Sequence, residues 1–324
     1  MLLTASFMAD FTTNLRAKAV KSYEARLRNL WWTKVASQTQ SQTKREILGW
    51  LVNNGALSID VSDGSTEFED AVMNSFEFTH DFENKGLSLF ESDFEDLDGQ
   101  GINAATKFVT DLAAQFAYEP QRRLAKAMLA NPVCYDGQTF FHASAHPVSG
   151  RAGDTSMGTY GNIIASKPID VSVSIDVART NLGAAIAAAS AIKGPDGSPR
   201  NLQPTALLVP GALSTRALDL VGAKFLNATD HTPVAGAWNL GLPLVASELG
   251  AAFGGSDTTY YLVMTDPATD DFGGFVWSTR KDFAIRYPSL SDSTYQEQNL
   301  LKWVARGRHA IVPGHPYALI RVTG

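Results

Sequence analysis

Three residues in the middle of the chain are of types that do chemistry: Cys134, His142 and His146, all within Cys134-Tyr-Asp-Gly-Gln-Thr-Phe-Phe-His-Ala-Ser-Ala-His-Pro147. Two histidines four apart would share one face of a helix and could hold zinc. However, the glutamate of a His-Glu-x-x-His site is missing, and Pro147 and Gly150 argue against a helix there. Ordinary structural histidines are the expectation. Cys134 is the single cysteine, which excludes an intrachain disulfide framework and suits a reducing compartment. It reads as a small buried hydrophobe rather than a nucleophile. No G-x-S-x-G, dinucleotide fingerprint or phosphate loop is present, and Gly194-Pro-Asp-Gly-Ser-Pro199 is a turn without the Gly-Lys-Ser/Thr ending. Carboxylates are plentiful only between residues 57 and 98, a poor place for a dry acid–base pair. The sequence therefore predicts no catalytic, cofactor-binding or metal-binding residue.

The elements flanking this loop are more informative. From Gly101 to about Ala130 a helical pattern sets Ile102, Ala105, Phe108, Val109, Leu112, Ala113 and Phe116 in one apolar stripe. Asn103 is the candidate cap, and Lys107 and Asp111 make an i,i+4 pair on the other face. Pro120 should kink this helix or start a second one, with Leu124, Met128 and Leu129 carrying the stripe onward. A rod of about 40 Å results, at about 1.5 Å per residue. Such a rod serves as a spine for what precedes and follows it.

Residues 1–52 read mostly as helix, with Phe11, Leu15, Ala19, Tyr23 and Leu27 at helical spacing. A polar break at Ser37–Thr43 precedes a second short helix from Lys44 to Leu51. Eight bases face three acids here, Arg26 and Arg28 among the bases. Trp31 and Trp32 point to an arm that docks on a partner surface, because exposed adjacent tryptophans are costly. Between residues 57 and 98 the sign reverses, with thirteen acids and one base, Lys85. Phe76-Glu-Phe-Thr-His-Asp-Phe82 alternates, Asn84-Lys-Gly86 signals a turn, and Leu87-Ser-Leu-Phe90 starts a return strand. A lone hairpin is marginal in water, so this one is expected to lie on a basic surface such as another copy's arm.

The second half mixes an alanine-rich helix from Ile175 to Ile192 with strands at Thr205–Pro210, Leu242–Ser247, Tyr260–Met264, Gly274–Trp277, Phe283–Arg286, Leu300–Val312 and Tyr317–Val322. A helix from Ser214 to Phe225 interrupts them. Without βαβ alternation, the fold class is α+β. At 324 residues, 44% hydrophobic and net charge -6, the chain is globular, predicts about two domains and shows no bulk affinity for nucleic acid. No apolar run reaches the roughly 18 residues of a membrane span, and no secretory signal is visible.

The motif Tyr135-Asp-Gly-Gln-Thr-Phe-Phe141 followed by His146-Pro147 resembles one in the Mu-like phage major head subunit family. Ser41–Leu51, Phe76 to Gly99, Leu202–Leu213 and Trp303-Val-Ala-Arg306 fall in the order of that family. An extra residue before His146, with His142 and Ala145 where acids are common, departs from it. The resemblance implies an HK97-like capsid fold. Its parts would be an N-terminal arm (1–52), an extended E-loop (53–100), a P domain with spine helix (101–160), an A domain (161–289) and strands returning to the P domain (290–324).

It further implies a major capsid protein of a tailed bacteriophage, with no enzymatic activity and no cofactor. Hexamers and pentamers would build an icosahedral shell around double-stranded DNA, contacted non-specifically. Portal, decoration or scaffolding proteins would be further partners, and the shell, free of membrane, would be assembled in the host cytoplasm into the virion. Contact candidates between copies are Trp31, Trp32, Arg26, Arg28, Phe76, Phe78, Phe82, Lys85, Phe90, Asp93 and Asp96. Some relatives cross-link an E-loop lysine, but no motif marks a catalytic glutamate or an acceptor for Lys85. An encapsulin-like compartment is the alternative within the fold, and a zinc hydrolase on His142 and His146 the alternative outside it.

Overall fold

The computed structural model describes residues 5–27, 30–43, 45–52, 72–79, 81–90, 100–195, 197–221, 240–266 and 273–324. The chain opens with helix α1 (Ala5–Leu27), the single turn α2 (Trp32–Val35) and strands β1 (Ala36–Gln40), β2 (Arg45–Val52), β3 (Val72–Thr79) and β4 (Asp81–Phe90). Helix α3 (Gln100–Ala130) follows, then the short strands β5 (His146–Pro147), β6 (Thr159–Tyr160) and β7 (Ile163–Ile164). Helix α4 (Ile175–Ser190), β8 (Gln203–Val209), helix α5 (Ser214–Val221), β9 (Leu244–Val245) and β10 (Tyr260–Thr265) come next. The chain ends with β11 (Phe275–Arg286), helix α6 (Ser293–Gln298), β12 (Leu300–Pro313) and β13 (Leu319–Val322).

Two sheets organise these elements. The first has the order β1-β11-β12-β4, with β1 parallel to β11 and the rest antiparallel. One of its faces meets α1 and α3, where Leu15 and Ala19, Ala105, Val109 and Ala113, and Leu301 and Trp303 form one buried cluster. Most of the predicted stripe is what α3 buries: Ala105, Val109, Leu112, Ala113 and Phe116 are buried, and Ile102 and Phe108 are half-buried. Phe116 stacks on Phe283 with ring centroids 4.2 Å apart. Gly307 makes room for this, since a Cβ there would lie 2.5 Å from the Phe283 ring.

The second sheet has the order β7-β13-β10-β8-β9. Leu207, Val209, Tyr260, Leu262 and Ile320 pack against Leu182, Ala185 and Ala189 of α4 and Ala217 of α5. The alternate residues Ala206, Leu208, Tyr261, Val263 and Leu319 face a different cluster, built from Trp31, Trp32, Leu124, Met128, Phe140 and Phe275. Both faces are covered, which is why these strands read as unbroken apolar runs instead of alternating ones.

Several local expectations are corrected. Lys44–Leu51 is not a helix: residues 45–52 form β2, paired antiparallel with β3 from Arg45↔Thr79 to Val52↔Val72. Ser37–Thr43 is not merely a polar break, because residues 36–40 form edge strand β1. Asn84-Lys-Gly86 is no turn. Strand β4 runs straight through it, held by ten register pairs with β12, so backbone pairing overrides a local turn signal. The extended hairpin is therefore β2–β3, with its connection in residues 53–71. Asn103 does not cap α3, which starts at Gln100, and Pro120 lies inside one uninterrupted helix of 31 residues. The missing donor leaves the Phe116 carbonyl without its helical partner but does not end the rod. Gly274–Trp277 and Phe283–Arg286 are one strand, interrupted by register shifts after Thr279 and after Lys281. The Leu242–Ser247 strand shrinks to residues 244–245.

Trp303 is fully buried at the contact of the first sheet with α1 and α3. Trp303→Ala should lower unfolding stability by about 3–5 kcal/mol. Phe253→Ala, at a position 64% exposed, should change it by less than about 0.5 kcal/mol. Urea unfolding followed by circular dichroism would compare the two.

Candidate assembly site

The predicted contact residues separate into three groups. Trp31 and Trp32 are 2% and 6% exposed within their own chain. Their partner surface is therefore internal, and neither side chain is offered to a neighbour. Arg26 is exposed beside a groove between α1 and α3 lined by Asp111, Ala114, Gln115 and Tyr118. Phe90 is 54% exposed at the end of β4. Phe76 and Phe78 occupy register positions opposite Leu48 and Glu46, and Phe82 and Lys85 lie opposite Arg308 and Ala305. Lys85 is thus mid-strand, not at a hairpin tip. Arg28, Asp93 and Asp96 fall outside the described residues.

Trp31 is held by a junction that sequence reading missed. Its backbone N–H donates to Gln121 Oε1 at 3.0 Å and its indole Nε1 to Glu248 Oε2 at 3.3 Å. Gln121 Nε2 donates to Glu248 Oε1 at 2.7 Å, and the Tyr118 hydroxyl also donates to Glu248. Burial, then the hydrogen bond to Glu248 and its charge, push the Tyr118 hydroxyl up to about 12. One carboxylate so joins the arm, the middle of α3 and the turn after β9. Nearby, burial alone would raise Glu119, but Arg122 and Arg123, at 2.7 and 3.2 Å, hold it below the usual carboxylate range.

The Tyr-Asp-Gly-Gln-x-Phe-Phe stretch is a second junction. Helix α3 stops at Asn131, whose φ of 50° is left-handed. An asparagine after a helix is a stop signal that sequence inspection could have used. The Asn131 side chain brackets Phe141, accepting from its N–H at 2.6 Å and donating to its carbonyl at 3.0 Å. Gly137 turns the chain at φ 79°, where a side chain would be strained. Asp136 accepts from the Gln138 N–H at 3.0 Å and faces His146 Nδ1 at 2.6 Å. His146 is fully buried, with Nε2 3.1 Å from the Phe140 carbonyl. His142 Nδ1 accepts the backbone N–H groups of Ser144 and Ala145. Both imidazoles therefore work for the loop, and among the described residues no group of three or more possible metal ligands converges. Asn162, also fully buried, accepts from the His142 N–H and donates to the carbonyls of Phe140 and Pro316, at 2.7 and 3.0 Å. Nothing in the sequence marks it.

Cys134 is buried as expected, and burial, with the charge of Asp136 adding to it, pushes its thiol up, away from nucleophilic chemistry. Behind the loop, the Tyr135 hydroxyl lies 3.3 Å from His315 Nδ1, and Arg200 covers the Tyr317 ring at 4.2 Å while reaching Asp266 at 3.4 Å. Burial, helped by the charge of Arg200 and opposed by Asp266, lowers His315 to about 4. A base depressed in the fold binds its proton more readily when unfolded. Its contribution is complete above about 6.5 and is lost as pH falls towards 4, about 3 kcal/mol in all. His315→Gln should flatten the stability profile between those values, as denaturant titrations at several pH values would read. Asn162→Ala, which strands several buried partners, should cost about 3 kcal/mol at every pH.

Two family models match the chain. One, described as the Mu-like prophage major head subunit gpT, matches residues 8–171. The other, described as a phage capsid protein, matches residues 93–322. No curated protein matches. Among solved structures, the virus-like particle from Pyrococcus furiosus is similar with a TM-score of 0.52 at 10% identity, over 95% of this chain and 97% of that one. The capsid of an empty GTA particle gives 0.50 at 12% identity, over 91% and 90%. The bacteriophage JBD30 capsid gives 0.47 at 13% identity over 90% of this chain, which spans 64% of that relative's length. The expected α+β, HK97-like capsid fold is borne out. With half of its length under the first model and most of it under the second, the chain belongs to the Mu-like phage major head subunit family, the capsid proteins of tailed phages.

Proposed function

We propose that copies of this chain close into the icosahedral head shell of a tailed bacteriophage around double-stranded DNA, and that the protein acts by assembly, without catalysis. The observation that carries this reading is the pair of family matches, which together run from residue 8 to 322. The chemistry supports it: Cys134 and His146 are buried in structural contacts. The division into arm (1–52), E-loop (53–100), P domain (101–160), A domain (161–289) and returning strands (290–324) belongs to the same reading.

Contacts between copies would come from Arg26 and Arg28 of the arm, and from Phe76, Phe78, Phe82, Lys85, Phe90, Asp93 and Asp96 around the hairpin. Exposed ion pairs contribute about 0–1 kcal/mol each, so charge sets register and encounter while aromatic burial supplies affinity. Symmetry then multiplies modest interfaces into a closed shell. DNA would be contacted non-specifically, portal, scaffolding or decoration proteins would join the shell, and assembly would take place in the host cytoplasm. Among the described residues no helix is long and apolar enough to cross a membrane.

Electron microscopy of the chain expressed alone, with nuclease digestion of purified phage heads, tests the reading. Closed particles, and protected DNA in heads that contain the chain, are expected. A chain that stays monomeric under crowding at every ionic strength and occurs in no particle would overturn it. Particles loaded with cargo protein and no genome would favour the compartment alternative.

A further inference from the structure

A groove of about 380 Å³ lies between strand β6 and the C-terminal end of α4. Val148 and Ile192, both buried, and Met157, 42% exposed, give it an apolar lining. Lys193, exposed, is the one charged side chain among the residues that line it. A thioether on a flexible stem, such as that of Met157, adapts to whatever covers it.

The backbone around the groove is partly open. The Val148 N–H donates to the Gly158 carbonyl at 3.0 Å, and Thr159 stands opposite Pro147. Bonded and non-bonded pairs alternate along an antiparallel ladder. Thr159 therefore belongs to a non-bonded pair, and its N–H and C=O point away from β5. Among the described residues no third strand lies along that edge. At the helix end, Ala191 donates to the Ala187 carbonyl and Ile192 to that of Ala189. The closing turn so passes over the carbonyl of Ala188, an exposed residue of the groove.

One donor, two acceptors, an apolar lining and a cation are what an extended peptide satisfies together. Its backbone pairs with Thr159 and Ala188, alternate side chains enter the lining, and a carboxylate reaches Lys193. Duplex DNA would engage the lysine alone. The ten lining residues fall well short of the roughly 20–30 on each side that a self-standing interface between subunits needs. A single tethering strand fits, and repetition over a shell multiplies so small a contact. Directional backbone bonds suit a component that stays in the finished head.

We infer that the groove between β6 and the end of α4 receives an extended, acidic segment of a different protein that decorates the finished head, added as a strand along Thr159 with a carboxylate on Lys193. The inference rests on the shell reading and gives one accessory protein of the shell its place.

The test puts the photo-cross-linking residue benzoylphenylalanine at Ala188 of the full-length chain in phage heads, and at Leu218 of α5, 48% exposed, as a control. Irradiated heads are digested and the joined peptides read by mass spectrometry, with Lys193 kept, replaced by Lys193→Arg or replaced by Lys193→Glu. Position 188 should join an acidic segment of another head protein, and position 218 should not. The adduct should survive Lys193→Arg and fall about five-fold or more with Lys193→Glu. No adduct at 188 in well-formed heads, or one indifferent to Lys193→Glu, overturns the inference and leaves the shell reading intact. So does an adduct to another copy of this chain or to DNA. An adduct confined to unfilled precursor shells assigns the groove to a scaffolding protein and also overturns it. If no head contains the chain, the shell reading falls and the inference with it.

Discussion

Glu248 accepts hydrogen bonds from Trp31, Tyr118 and Gln121, three residues that belong to the arm, the middle of the long helix and, through Trp31, the packing of both sheets. Glu248 is half-buried, and each donor it loses removes a charge-assisted hydrogen bond, stronger than one between neutral groups. Glu248 so adds a polar tie to the apolar cluster that joins the two sheets. Trp31, Trp32, Phe140 and Phe275 fill the space around that tie. The Asp136–His146–Asn162 knot closes the other side of the same cluster.

The consequence is mechanical. Helix α3 is about 46 Å long, and a rod of that length carries load only if both ends and its middle are fixed. Its N-terminal half lies on the first sheet through Ala105, Val109 and Ala113. Its C-terminal half enters the inter-sheet cluster through Leu124, Ala125 and Met128. The helix so spans both sheets, and the polar junctions sit along its second half.

Charge is distributed to match. The inner faces of both sheets are apolar, and two buried carboxylates have partners, Asp136 with His146 and Asp266 with Arg200. Among the described residues, Lys302 and Arg306 are exposed on the outer face of the first sheet, and in the sequence residues 53–71 hold five carboxylates and no base.

The sequence by itself determined the elements whose apolar residues repeat with a clear period. The stripe from Ala105 to Phe116, the alanine-rich helix from Ile175 and the core strands at Thr205–Pro210 and Tyr260–Met264 were legible because local spacing dictates which face is buried. The Tyr-Asp-Gly-Gln-x-Phe-Phe motif, read with its neighbours in order, was enough for the family. What only the tertiary structure decided depends on partners remote in the chain. Residues 45–52 became a strand because β3 lay alongside, and Asn84-Lys-Gly86 stayed extended because β12 paired across it. The partners of Asn162 and Glu248 are up to 157 and 217 residues away. A hydrogen bond closed over such a distance leaves no periodic trace. Its energy depends on the geometry that packing creates, not on the residues next to it in the chain.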